Sequence, residues 1–159
     1  MQQPFLAPLI AAALLAFAVM ATAAAPTDFE IVAQAGGASP EDTARIVVVD
    51  STGAGEACTI EPQDREAALC TQTSPVLLSP AVLDDLWSVV QSSGFFALDS
   101  TYFDTTLVGG TWAEVSIRGG GTTHTVMIQN MSVAALDTVV TVLNAALSPE
   151  QRLSYLGLP

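Results

Sequence analysis

The chain has 159 residues, half of them apolar, with sixteen acids against four arginines (Arg45, Arg65, Arg118, Arg152), one histidine and no lysine. A formal charge of −12 argues against nucleic acid and anionic lipid as partners, because both have to be met by positive charge. A surface of this sign favours solubility and cationic partners.

An uncharged Ala- and Leu-rich stretch, residues 5–25, opens the chain and contains Ala21-Thr22-Ala23. That small-x-small pattern is the mark of an export signal cut after Ala23. Residues 1–23 are therefore expected to be a signal peptide. Residues 24–159 form a single globular domain, with 148–159 as its tail. The leader Met1-Gln2-Gln3-Pro4 has no basic side chain, and about twenty apolar residues also suffice to span a bilayer. An uncleaved membrane anchor is the alternative, and membrane contact is expected only in that case. Either way the domain is exported: periplasmic, at the cell surface or extracellular. A domain of about 135 residues buries roughly two thirds of its unfolded surface, so it has a real core.

Residues 29–33 alternate and predict a strand, followed by a loop through Gly36, Gly37, Ser39 and Pro40. Residues 45–50 form a second strand, dense in β-branched side chains. A turn at residues 51–55 leads to a short third strand at 57–61. Cys58 and Cys70, the only cysteines, are twelve apart. In an oxidising compartment such a pair forms a structural disulfide, stabilising the fold by roughly 3 kcal/mol. The spacing does not suit a redox Cys-x-x-Cys site.

A first helix begins at Ser79 as cap and Pro80 in the first turn. Leu83, Leu86, Trp87 and Val90 make its apolar stripe, and Gly94 ends it. After a loop at residues 99–110, residues 112–117 and 122–130 form a hairpin. Placing its turn at Gly119-Gly120 pairs Ala113 with Val126, Val115 with His124 and Thr111 with Ile128. Ala113, Val115, Ile117, Val126 and Ile128 then share one face. Ser132 is the expected cap of a second helix with the stripe Leu136, Val139, Val140, Leu143 and Leu147, ending at Ser148-Pro149. The fold class is α+β: an antiparallel sheet of four to five strands with two helices on one face. It can also be read as two degenerate strand-strand-helix units of about 60 residues each.

Leu78-Ser79-Pro80, Leu83-x-x-Leu86-Trp87, Ser93-Gly94-Phe95-Phe96-x-Leu98 and Tyr102 precede the Gly-rich hairpin from Val115 through Arg118 and His124 to Val126. Over roughly residues 75–147 this pattern resembles small exported bacterial domains of unknown function. The resemblance implies an envelope or secreted domain and transfers no catalytic residue.

Catalytic patterns are thin. Asp50-Ser51-Thr52-Gly53 differs from the Asp-Thr-Gly of aspartic proteases by an intervening serine and reads as a turn. Gly53-x-Gly55 lacks the third glycine and the following helix of a dinucleotide site. His124 lies near the hairpin end on the face of Val126 and Ile128. Glu114 points the other way, and Asp99 and Asp104 are its remaining candidate partners. Those two acids are also weak candidates for a hard-cation site, but the loop lacks the acid density and glycine of an EF-hand. No serine sits in a nucleophile elbow. Asn130-Met131-Ser132 matches a glycosylation sequon.

Trp112 and Met127 are expected as a cross-strand pair on the face away from the core. With Tyr102 and Phe103 they are the candidate interaction surface, unless Leu153, Tyr155, Leu156 and Leu158 of the tail fold over it. The expectation is a non-enzymatic exported binding domain for an unknown protein or small ligand, without cofactor or resident metal. A secreted inhibitor of a hydrolase, or a metal-dependent hydrolase using His124, are the alternatives.

Overall fold

The structure, a computed structural model, describes residues 23–39, 41–64, 70–107 and 109–155. Residues 1–22 of the expected leader, 65–69 of the loop between the cysteines and 156–159 of the tail lie outside them. Among the described residues, seven strands and two α-helices follow in order: β1 (Glu30–Gly37), β2 (Ala44–Asp50), β3 (Ala54–Ile60), β4 (Gln72–Leu77), α1 (Pro80–Ser93), β5 (Thr101–Phe103), β6 (Thr111–Gly119), β7 (Thr122–Gln129) and α2 (Ala134–Ala146). They build one sheet in the order β4-β3-β2-β1-β6-β7-β5. All neighbours are antiparallel except β5, which runs parallel to β7. The class is α+β as expected, but the sheet is mixed and larger than four to five antiparallel strands. The chain ahead of α1 brings four strands and the chain between the helices brings three, so the halves are not two equal strand-strand-helix units.

The additional strands have physical explanations. β4 contains Pro75 and few apolar residues, and β5 is only three residues long; neither carries enough alternation to be read alone. Gly36 and Gly37, expected in a loop, complete β1. There Gly36 pairs with both Ala44 and Trp112.

Alternation decides what is buried. Ile31, Ala33, Val47, Val49, Val115, Ile117, Val126 and Ile128 turn to one face and join the stripes of both helices in a single buried cluster. Both helices therefore lie on that face. α1 opens as expected, with the Ser79 hydroxyl accepting from the Val82 N–H at 3.4 Å, and closes on Gly94 in the left-handed region at φ 77°. α2 differs, since Val133 occupies its cap without a side-chain bond. The Ser132 hydroxyl instead donates to the Asp137 carboxylate.

The β6–β7 hairpin keeps the expected faces with a different register. Ala113 pairs with Ile128, Val115 with Val126 and Ile117 with His124. The turn is Gly120-Gly121, because both residues have positive φ, 59° and 76°, as a tight two-residue hairpin turn requires. Gly119 is the last residue of β6 and has another role: a Cβ there would come within 2.7 Å of the Trp87 ring. The shift is two residues, and two is the sheet's period, so no side chain changes face.

Asp28 clamps this turn, its two carboxylate oxygens accepting the Gly120 and Gly121 N–H groups at 2.9 and 2.8 Å. The Gly121 and then the Gly120 bond hold its carboxyl below the ordinary 3.8. The disulfide Cys58–Cys70 is formed, with Cα atoms 5.5 Å apart. Among the described residues no helix is long and apolar enough to cross a membrane.

Gly119→Ala should cost about 1–3 kcal/mol in urea unfolding, because the methyl must displace a packed indole. Asp28→Asn tests the clamp through pH. A lowered folded-state pKa contributes stability above 3.8 that disappears as pH falls through the depressed value. The variant should therefore lose less stability than the native chain on acidification below that point, as read from melting temperature against pH.

Candidate functional site

With the helices on one side, the other sheet face carries Gln34, Val48, Trp112, Glu114, Ser116, Met127 and Gln129. Trp112 lies over the bare backbone of Gly36. No side chain of β1 separates it from the small outer cluster of Ala44, Cys58 and Ile60, against which it packs with Ile46. Its indole N–H donates to the Gly37 carbonyl at 3.2 Å. The indole is thus anchored by that bond and stays partly accessible. By contrast Trp87, on α1, is buried in edge contacts with Phe29 and Phe96.

Met127 is not directly opposite Trp112. Gln129 takes that position and Glu114 faces Met127, a consequence of the two-residue register shift. Trp112 and Met127 are nonetheless diagonal neighbours that together line a shallow depression of about 360 Å³ with Gln34, Ala38 and Gln129. Gln34 is oriented by donating to Glu114 at 2.8 Å. Phe103, 49 % exposed, stands beside Gln129 on the same face. Tyr102 does not belong to this surface. It alternates to the core side, packs against the main cluster and accepts the Asp99 N–H at 2.9 Å. Gln34 and Ala38 were illegible as parts of the site because β1 had been expected to end at Ala33.

The described part of the tail does not cover Trp112. Leu153 and Tyr155 enter the main core, and the Tyr155 hydroxyl donates to Asp137 at 2.7 Å. Burial first, then that bond to a carboxylate, push the phenol's pKa upward. Leu156 and Leu158 lie outside the described residues.

The other candidates are engaged locally. His124 Nε2 is 2.9 Å from the Leu98 carbonyl oxygen, a bond that places the proton on Nε2, and the ring stands edge-on to Phe95. Glu114 is on the opposite face, bonded to Gln34. Asp104 accepts the Thr106 hydroxyl and N–H at 2.6 and 2.9 Å. Those bonds, the hydroxyl first, lower its pKa. Asp50 binds Thr52 in the same way, so Asp50-Ser51-Thr52-Gly53 is a turn. Among the described residues no three His, Cys, Asp or Glu side chains converge as metal ligands. The sequon residue Asn130 is 4 % exposed, at φ 58°, with its side chain bonded to Thr111 and Leu107. That amide is built into the fold.

Compared with protein-family models and with curated proteins, the chain matches none.

Tyr155→Phe should destabilise the domain by about 1.5–3 kcal/mol, the range for losing a hydrogen bond to a charged acceptor. Denaturant unfolding measures it, and an unchanged midpoint would mean the tail is held by packing alone.

Proposed function

We propose that this protein is an exported, non-enzymatic binding domain that meets a partner through the sheet face opposite the described helices, around Trp112 and Met127. The observation that carries the reading is the state of Trp112. It is a large aromatic on the face opposite the described helices, anchored by its bond to Gly37 yet partly open, with a flexible methionine lining the same depression. Rigid aromatics and methionine are the side chains most enriched where proteins meet. Gln34 and Gln129 supply amide donors and acceptors around them, as a binding surface with an apolar centre requires.

The sheet edge is a poor alternative route. In β4 the pairing that joins the Leu78 N–H to the Gly53 carbonyl turns residue 75 outward, where proline has no N–H to offer. The outward Pro75 carbonyl accepts from Gln151 at 3.0 Å. Such an edge resists added strands. Export to the periplasm, cell surface or medium is supported by the Cys58–Cys70 bridge and by the leader pattern. The likeness to small exported bacterial domains is part of the same reading. A hydrolase built on His124 draws no support from a ring already donating to Leu98.

The test is site-specific photo-crosslinking in the native host, with the reactive side chain at position 127 and a control at exposed Ser92 on α1. A discrete heavier adduct from position 127 alone is expected. Adducts that are identical from both positions, or absent from both, would refute the outer face as the contact surface.

A further inference from the structure

The distribution of positive charge singles out a second place. The chain has sixteen carboxylates and four arginines, so pairing every guanidinium would be easy. Arg118 is paired, 3.2 Å from Glu30. Arg45 and Arg152 make no close ion pair with a described carboxylate, although Arg45 also borders a neighbouring depression with Glu150, which it attracts. Both nevertheless border the same cleft, about 450 Å³ at one end of the sheet.

Each is held in place through one part of its head group. Arg45 donates from Nη1 to the Arg152 carbonyl at 2.9 Å. Arg152 donates from Nε to the Asn144 and Leu147 carbonyls at 3.1 and 3.3 Å, at the C-terminal end of α2, where a cation is favoured. These bonds leave further N–H donors on both forks, and a guanidinium fork matches an oxyanion in two-point geometry. The cleft floor is small, with Gly36, Gly110 and Ala44, so a ligand can lie against the main chain. Thr43 and Ser154 add hydroxyls and no aromatic ring lines it, which suits a hydrophilic ligand. Asp42 also lines the cleft, its carboxylate accepting the Ser39 N–H at 3.0 Å. With that acid inside and −12 outside, a singly charged group is favoured over a polyanion.

We propose that the cleft between Arg45 and Arg152 binds a small hydrophilic carboxylate, with its carboxylate on the two guanidiniums and a hydroxyl or amino group directed to Asp42. This site lies apart from the Trp112 depression, and neither depends on the other. The experiment is an NMR titration of the purified protein observing arginine Nε–H resonances, few enough in this chain to resolve. The probes are lactate, galacturonate and inorganic phosphate. Saturable shifts of Arg45 and Arg152 with a carboxylate, while Arg118 stays still, are expected. Arg45→Gln should then weaken binding about tenfold or more, the effect of losing a charge-assisted contact. Its melting temperature is recorded beside it, and the titration of the unaltered protein does not rely on the variant. Equal, non-saturating movement of Arg45, Arg118 and Arg152 is ionic screening and removes the site. Phosphate saturating more tightly than both carboxylates would overturn the assigned ligand class.

Discussion

Everything in this fold depends on the seam between β1 and β6. Residues about eighty apart in sequence are zipped together along eight pairs, from Glu30 with Arg118 to Gly37 with Thr111. Without it there would be a four-stranded meander carrying α1 and a three-stranded piece carrying α2, each with a bare central edge. With it, Ile31, Ala33, Val115 and Ile117 lie side by side at the middle of a sheet wide enough to seat both helices. Such a seam closes a long loop before it gains any contact, and the lost chain entropy is offset only by the burial that follows. The Asp28 clamp and the Arg118–Glu30 pair sit at one end of it, fastening the hairpin tip to the start of β1.

The other end of the seam carries both proposed sites. Gly36 and Gly37 finish β1 without side chains. Trp112 therefore crosses over Gly36 on one face, while on the other side the backbone borders the cleft of Arg45 and Arg152. Substitution at Gly36 would meet the Thr43 carbonyl at 2.8 Å, so the gap is a requirement of the packing as well as an opening. The tail is locked onto this end through main-chain carbonyls. Arg45 holds residue 152, Arg152 holds the end of α2, and Asn144 binds Leu153 through both its amide atoms.

The two faces of the sheet divide the work. One is consumed by the core, where His124 and Tyr102 serve as hydrogen-bonded packing groups against Leu98 and Asp99. The other is left uncovered by the described helices. The proline in β4 and the shortness of β5 keep the sheet's two edges from offering long open ladders, so the proposed recognition would fall to side chains.

Local chemistry was readable in the chain itself. The α1 cap at Ser79, the left-handed Gly94, both helix stripes, the disulfide and the buried face of the hairpin all follow from spacing and residue type within short windows. Sequence also separated Glu114 from His124, because strand alternation is a local rule. Tertiary structure alone decided the rest. Whether Gly119 or Gly121 belonged to the turn depended on Trp87, thirty-two residues away, pressing on Gly119. β4 and β5 exist because a neighbouring strand offers them hydrogen bonds, since their own sequences hardly alternate. The arginine cleft gathers residues 36, 45, 110 and 152, which no window spans. Periodicity and capping act over a few residues and are written in the sequence; pairing partners, edge strands and clefts come from distant segments meeting, and only the folded chain contains that information.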